Sequence, residues 1–290
     1  MRTIVLIFSF LFILVKAPVI EGAIKKDRPR VIALELSFVE ALIELGITPV
    51  GISDDGDSNR ILPSLRRKIS SYTSVGTRKQ PSLELIAGLS PTLILADKKR
   101  HKNAKKQLGK LATTLLLPSL GEDYSSQLKA FETIASNLNL RDVYEKRMKD
   151  HQIKVRDLKK SLGNTWKGKK ILFGVSWEKG VHLHTLKGFV PSLMKHIGLD
   201  YALEQGQFEK ASEKVGLEQL IRLDPDIFIL ARSKPRVLLD KWMKSPLWKL
   251  LKISKNKKLF FVDQNLWTRS RGVFSSELIL KNMNTLLSKG

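Results

Sequence analysis

Residues 82–97 read SLELIAGLSPTLILAD, and residues 216–231 read GLEQLIRLDPDIFILA. Setting Ser82 against Gly216 aligns Leu83 with Leu217, Glu84 with Glu218, Leu89 with Leu223 and Pro91 with Pro225. Each copy runs in the same order. A short amphipathic helix opens on Leu-Glu, a proline stops it, and an apolar run follows that suits a strand buried on both faces. The copies lie 134 residues apart, close to half the chain and far beyond the period of a solenoid unit. The spacing therefore predicts two similar α/β lobes with a ligand cleft between them.

Composition frames that reading. The 290 residues are enough for two domains with their own cores. Arg2 followed by the apolar run Ile4–Val15 reads as an export signal over residues 1–23, too short to span a bilayer. The chain has no Cys, which suits an exported protein that folds without disulfides and leaves nothing to acylate, excluding a lipoprotein. The formal charge is +23, and removing the signal leaves +22. The lysines are dispersed, with no arginine-rich tail and no basic stretch interleaved with aromatics, so no nucleic-acid partner is expected. An anionic ligand or an acidic surface fits an exported protein of this charge better.

Four segments are expected: the signal (1–23), an N-terminal α/β lobe (24–122), a connecting helix (123–163) and a C-terminal α/β lobe (164–290). In the first lobe, strands are predicted at Arg30–Leu34, Pro49–Ile52, Leu93–Ala96 and Thr114–Leu117. A helix there opens on the capping-box spacing Ser37-Phe-Val-Glu40, and a basic helix covers 98–110. Tyr124 through Leu162 contains neither Gly nor Pro and keeps a helical rhythm, as one long helix or two abutting near Asn137–Asn139. In the second lobe, strands are predicted at Ile171–Ser176, Val181–His184 and Leu259–Val262, besides the one in the repeat. Helices are predicted at Pro191–Ile197, Pro235–Lys244, Leu247–Leu251 and Ser275–Leu287.

Catalytic signatures are missing: there is no G-x-S-x-G, P-loop or H-E-x-x-H. Asp55-Gly-Asp57-Ser-Asn59 begins like a calcium loop, but Arg60 and Arg66 occupy the positions of its turn Gly and its bidentate Glu. His182 and His184 would share one face of a strand, with a structural role favoured over metal binding for want of a third ligand. The arginines are more telling. Arg60, Arg78, Arg100, Arg269 and Arg271 all fall in turns that follow predicted strands or precede the repeated helix. In an open α/β sheet the carboxyl ends of the strands face the ligand crevice. Singly, each could be a solvated loop residue; together they could converge on one cleft, where guanidinium forks match carboxylates bidentately. Trp177 and Trp267 also follow strands and either wall a ligand site or pack. Glu84 and Glu218 sit in matching first helical turns, where they offset the helix dipole or engage a two-fold partner.

Seven stretches carry a family resemblance: ALELSFVEAL (33–42), GISDDGDSNRILP (51–63), SVGTRKQPSLE (74–84), LILADKKRH (93–101), VGLEQL (215–220), SPLWKLL (245–251) and VDQNLWTRSRGVFSSE (262–277). The chain resembles the periplasmic ferric citrate (iron(III) dicitrate) binding proteins, in the siderophore and cobalamin class of ABC-transporter substrate-binding proteins. The resemblance implies an α/β fold of two Rossmann-like lobes joined by a long helix, with the ligand in the cleft and delivery to an inner-membrane ABC permease dimer. The five arginines, Trp177 and Trp267 are the expected ligand contacts by position, and the resemblance implies permease docking through Glu84 and Glu218. Trp177 departs from the pattern, standing where an Arg is expected. The resulting expectation is a periplasmic, monomeric carrier of ferric citrate, not an enzyme, with no cofactor and no metal ligands of its own. Another carboxylate siderophore, or cobalamin, is the alternative ligand.

Overall fold

The computed structural model describes residues 29–178, 180–232 and 237–287, so the expected export signal lies outside the described residues. The first lobe runs β1 (Val31–Ala33), α1 (Leu36–Glu44), β2 (Gly51–Ile52), α2 (Pro63–Arg66), β3 (Thr73–Ser74), α3 (Leu83–Gly88), β4 (Leu93–Asp97), α4 (Lys105–Leu108) and β5 (Thr113–Leu117). Its strands form a five-stranded sheet in the order β3-β2-β1-β4-β5, parallel throughout. Val31, Ala33, Leu93 and Leu95 face one apolar layer of this sheet, and Ile32, Leu34, Ile94 and Ala96 face the other. Burial on both faces is what a parallel strand flanked by helices requires. The strand order reverses between β1 and β4, which opens a crevice at their carboxyl ends.

Two helices follow, α5 (Tyr124–Asn137) and α6 (Arg141–Trp166), parted at Asn139, whose φ is 56°. The second lobe runs β6 (Ile171–Trp177), β7 (Gly180–His184), α7 (Phe189–His196), β8 (Ser212–Val215), α8 (Leu217–Leu223), β9 (Ile227–Arg232), α9 (Val237–Lys244), α10 (Lys252–Lys255), β10 (Leu259–Val262) and α11 (Val273–Leu287). Its sheet order is β10-β9-β6-β7-β8. Here β6, β9 and β10 are parallel, while β7 runs antiparallel to both β6 and β8. The successive strands predicted at Ile171–Ser176 and Val181–His184 therefore pair as an antiparallel hairpin, and β8 adds beyond β7 at the edge of this sheet.

The repeated segments fold alike, as α3–β4 and α8–β9. Ile86 and Leu220, equivalent in the two copies, are both fully buried. Ser90 and Asp224, also equivalent, both take positive φ (43° and 34°) just before the shared proline. Ser82 Oγ accepts the Leu85 amide at 3.2 Å and caps α3, whereas Gly216 leaves α8 without a side-chain cap.

Three local expectations are corrected. The capping box at Ser37 does not form: Glu35 is the N-cap of α1, and Ser37 and Glu40 turn inward to other partners. The basic helix at 98–110 shrinks to α4, because the Asp97 carboxylate accepts the amides of Lys99 and Arg100 and folds 98–101 into a turn. The stretch Leu247–Leu251 is a 3₁₀ turn, Pro246–Leu250, and the helix expected from Pro235 is seen as Val237–Lys244, its first residues lying outside the described ones.

The lobes are tied by α11. Val273 joins the core of the first lobe, and Ile279, Leu280 and Met283 join that of the second. Glu277 meets α6 through Arg147 (2.8 Å), His151 (2.8 Å) and Lys154 (3.2 Å), and Arg147 also pairs with Glu44 of α1. Burial would raise the Glu277 carboxyl, but the bonds from His151 and Arg147 more than offset it and leave it below the usual range. At its start α11 is capped from outside: Glu40 Oε1 accepts the Ser275 amide at 2.9 Å and the Ser275 hydroxyl at 3.2 Å. Gly272 permits this approach, since a Cβ there would lie 2.4 Å from Glu40 Oε1.

Candidate functional site

The carboxyl ends of the strands supply the site residues segment by segment. After β1 comes Glu35, which is fully buried. After β2, Asp55 adopts a φ of 62°, and Asp57 caps a 3₁₀ turn, Ser58–Arg60, by accepting the Asn59 amide at 3.0 Å. After β3, Gly76 turns at a φ of 96° and presents Arg78. After β4, the Asp97 turn presents Arg100. After β10, one turn of π-helix at Asn265–Arg269 leads into Ser270 and Arg271. Such turns are rare and often sit at functional sites.

These segments converge. Arg78 donates from Nε (2.9 Å) and from its amide (2.8 Å) to Asp55, and Arg60 pairs with the same carboxylate. Burial would raise the Asp55 carboxyl; the bonds and charge of Arg78, with the charge of Arg60, leave it below the usual range. Arg100 Nε lies 2.7 Å from Glu35 Oε1, Arg271 Nη2 lies 3.2 Å from Glu35 Oε2, and Arg78 Nη1 lies 3.9 Å from the same oxygen. Arg271 also donates to the Ser119 hydroxyl at 2.9 Å and to the Thr268 carbonyl at 2.8 Å, while its Nε is buried without a partner. Arg269 is held by Asn265 Oδ1 at 2.6 Å. Burial and the charges of Arg60 and Arg78 depress the Arg269 guanidinium, and burial likewise depresses that of Arg271 against the pull of Glu35. Like charges are thus pressed together in a partly desolvated space.

All five arginines line one cleft of about 440 Å³, a size suited to a small ligand. Its opposite wall belongs to the second lobe and is largely uncharged: Trp177, His182, His184 and Phe189. Trp177 is 44% exposed and stands open to the cleft. Trp267 contributes to the lining but is otherwise core, its ring 5.5 Å from that of Phe173 and its Nε1 donating to Asn282 at 3.1 Å. The histidines, expected to be structural, line the cleft as well. Burial, with Arg271 and His182 nearby, pushes His184 down to about 4, so it is neutral at neutral pH. Among the described residues no three His, Cys, Asp or Glu side chains gather into a metal-holding group.

Support lies behind the arginines. His101 Nδ1 accepts the Asp97 amide at 2.8 Å, which leaves the proton on Nε2 to donate to the Arg78 carbonyl at 2.9 Å. One neutral tautomer therefore links the Arg78 and Arg100 turns. The sequence singles out neither Glu35 nor His101, and Asp55 enters it only as part of a rejected calcium loop. The available signal is position, since Glu35 follows β1 as Arg100 follows β4. Glu84 and Glu218 lie outside the cleft, exposed in the first turns of α3 and α8.

The sequence pattern of the family described as periplasmic binding protein matches residues 31–266. The Fe(3+)-citrate-binding protein YfmC of Bacillus subtilis is 40% identical over 254 residues, covering 88% of this chain and 79% of its own. The Fe(3+) dicitrate-binding periplasmic protein FecB of Escherichia coli is 34% identical over 256 residues, covering 88% and 84%. Among solved structures, Staphylococcus aureus SirA complexed with staphyloferrin B superposes with a TM-score of 0.78 at 20% identity, covering 91% of this chain and 94% of SirA. That last likeness bears on the fold.

Proposed function

Because the chain belongs to the periplasmic binding protein family, we propose that it is the exported binding component of an ABC-type iron importer, capturing ferric citrate in the periplasm. The observation that carries this reading is the convergence of Arg60, Arg78, Arg100, Arg269 and Arg271 on one cleft. Glu35 and Asp55 neutralise part of that charge, and Glu122 at the rim is taken up by Lys98 and Lys99, so positive charge remains in surplus. A ferric chelate of citrate carries outward-facing carboxylates and net negative charge. Guanidinium forks bind such groups bidentately and hold their charge at any physiological pH. The iron enters already coordinated by its chelator, so the protein needs affinity for the outside of the complex only. Closure by Trp177 and the neutral histidine wall excludes water, which strengthens each ion pair. The work is capture and release, not catalysis. Delivery follows by docking on a permease dimer, one exposed acid per lobe, Glu84 and Glu218, meeting one basic patch per permease subunit.

Trp177 favours a second reading within the same class. A flat, exposed indole where a guanidinium is expected suits a carboxylate chelator with an apolar arm. Cobalamin fits less well, since a large corrin presents amides and not carboxylates to the arginines. Calorimetric titration of the mature protein with ferric citrate, iron-free citrate and a set of other ferric carboxylate siderophores tests both. Tight binding of ferric citrate above the others supports the first reading. Preference for another carboxylate siderophore moves the assignment to the second, and binding of no carboxylate chelate overturns both.

A further inference from the structure

Glu35 is a carboxylate shared by three cleft arginines drawn from both ends of the chain. Arg78 and Arg100 reach it from the first lobe, and Arg271 reaches it from the turn after β10, 236 residues away in sequence. Its side chain is fully buried, and neither oxygen faces bulk water. Each of the three has a second anchor. Arg78 is bonded to Asp55, Arg271 to Ser119 and the Thr268 carbonyl, and the Arg100 backbone amide to Asp97. Burying an acid is unfavourable unless it is paired, and burying three neighbouring cations without an acid is worse. One carboxylate therefore stabilises an arrangement of arginines that would otherwise repel one another. Burial leaves the Glu35 carboxyl above its usual range even against the pull of Arg271, Arg100 and Arg78.

We propose that Glu35 is a built-in stand-in for a ligand carboxylate, a positioning residue that fixes Arg78, Arg100 and Arg271 ahead of the ligand and sets the charge the cleft presents. This rests on the reading of the cleft as a carboxylate-chelate site. Two consequences follow, of opposite sign. Holding the arginines in place before the ligand arrives removes an ordering cost and slows dissociation. Subtracting one charge weakens the long-range attraction that sets the rate of association. Glu35 thus exchanges some association rate for geometric definition, and limits how strongly the cleft favours the most highly charged anions.

The test uses the full mature protein carrying Glu35→Gln, which keeps size and shape and removes the charge. Two measurements separate the proposal from the function on which it rests. The first needs no ligand. Nitrogen-15 spectra of the arginine side chains should show dispersed, slowly exchanging signals for the Arg100 Nε–H and the Arg271 Nη–H groups in the wild type, shifting toward the positions of free arginine in the variant, while the Arg78 Nε–H, bonded to Asp55, stays in place. Unchanged spectra overturn the positioning role, whatever the protein binds. The second is stopped-flow binding of ferric citrate over a salt series. The variant should associate about two- to threefold faster at low salt with a steeper salt dependence, and dissociate about tenfold faster or more. Equal rate constants and equal salt slopes in the two proteins overturn the charge-setting role. If the wild type binds no ferric citrate while the Arg100 and Arg271 signals shift in the variant, the function reading fails and the positioning role stands. Should Glu35→Gln not fold, Glu35→Asp draws the charge back by one methylene; the same shift of the Arg100 and Arg271 signals is expected, and preserved signals overturn the proposal.

Discussion

Arg269 and Arg271 are two residues apart and differ in how they are held. Arg269 rests against one neutral side chain, Asn265, while Arg271 is buried against Glu35 and Ser119. Arg269→Ala should therefore weaken ferric citrate binding by about 2 kcal/mol or more, as loss of a desolvated charge contact does, with little change in stability. Arg271→Ala should cost affinity and also about 3–5 kcal/mol of folding stability, because it leaves part of a buried carboxylate unmatched. Calorimetry alongside urea unfolding of both variants distinguishes the two; equal stability losses would contradict this division. His184 gives a pH signature. Its folded pKa, about 4, lies below the unfolded value near 6.5, so the unfolded state takes up the proton first as pH falls. Stability should decline from about pH 6.5 down to about 4, by roughly 3 kcal/mol from this group. His184→Gln should flatten that decline in urea melts, and an unchanged pH profile would refute it. At this scale the sequence tells more about cations than anions. Arginines in turns after strands can be found by position. Glu35 is a single acid whose three partners come from turns far along the chain and carry no local pattern.

The helix α11 is where element and charge meet. Glu40 of α1 caps its first turn, and burial drives that carboxyl up to about 7 against the Ser275 bonds that favour its charged form. The folded value exceeds the unfolded one of about 4.5, so protons are held more tightly in the folded state. Stability from this group is complete below about pH 4.5 and is lost as pH rises through 7, by about 3 kcal/mol in all. Glu40→Gln keeps an acceptor for the Ser275 amide and removes the titration. It should be more stable than the wild type at about pH 8 and similar near pH 4.5, as read by chemical denaturation. A variant less stable on the alkaline side would show that the charge itself is needed. The acid-side loss from His184 and the base-side loss from Glu40 run in opposite directions. Elements with strong apolar runs are legible in the sequence: β4, β6 and β10 end within a residue of their predicted bounds. The short strands β3 and β8 are not, because so few residues of mixed polarity owe their extension to a neighbouring strand more than to their own composition. The capping box fails for a related reason, since Ser37 and Glu40 fit the spacing but find buried partners in Ser119 and Ser275.

Across the whole molecule, α11 contributes to both cores and pairs with α6, so the lobes are braced along their length. Opening and closing should be small, and small-angle scattering should show nearly the same radius of gyration with and without saturating ligand; a clear contraction on binding would count against the brace. Docking is testable at the same scale. Glu84→Arg combined with Glu218→Arg changes two exposed charges outside the cleft lining, so ferric citrate affinity and thermal stability should be nearly unchanged while permease-dependent uptake falls. Normal uptake would refute the docking role, and lost binding would place these acids in the cleft. The two-lobe plan is readable because the repeat preserves burial and even the left-handed residue before each proline. The antiparallel edge at β7–β8 is not, because strand direction is set by loop length and packing partners instead of side-chain alternation. The pairing of Arg271 with Glu35 also has a bearing on time. A contact spanning 236 residues closes late, since the loop-closure entropy of so long a separation is met only when the intervening lobes are already organised. As the chain emerges, amino end first, both sheets can take shape before residue 271 arrives to join Glu35. The molecule therefore becomes a binder at the last step of its own folding, and a partly folded chain meets its ligand with the arginines still apart.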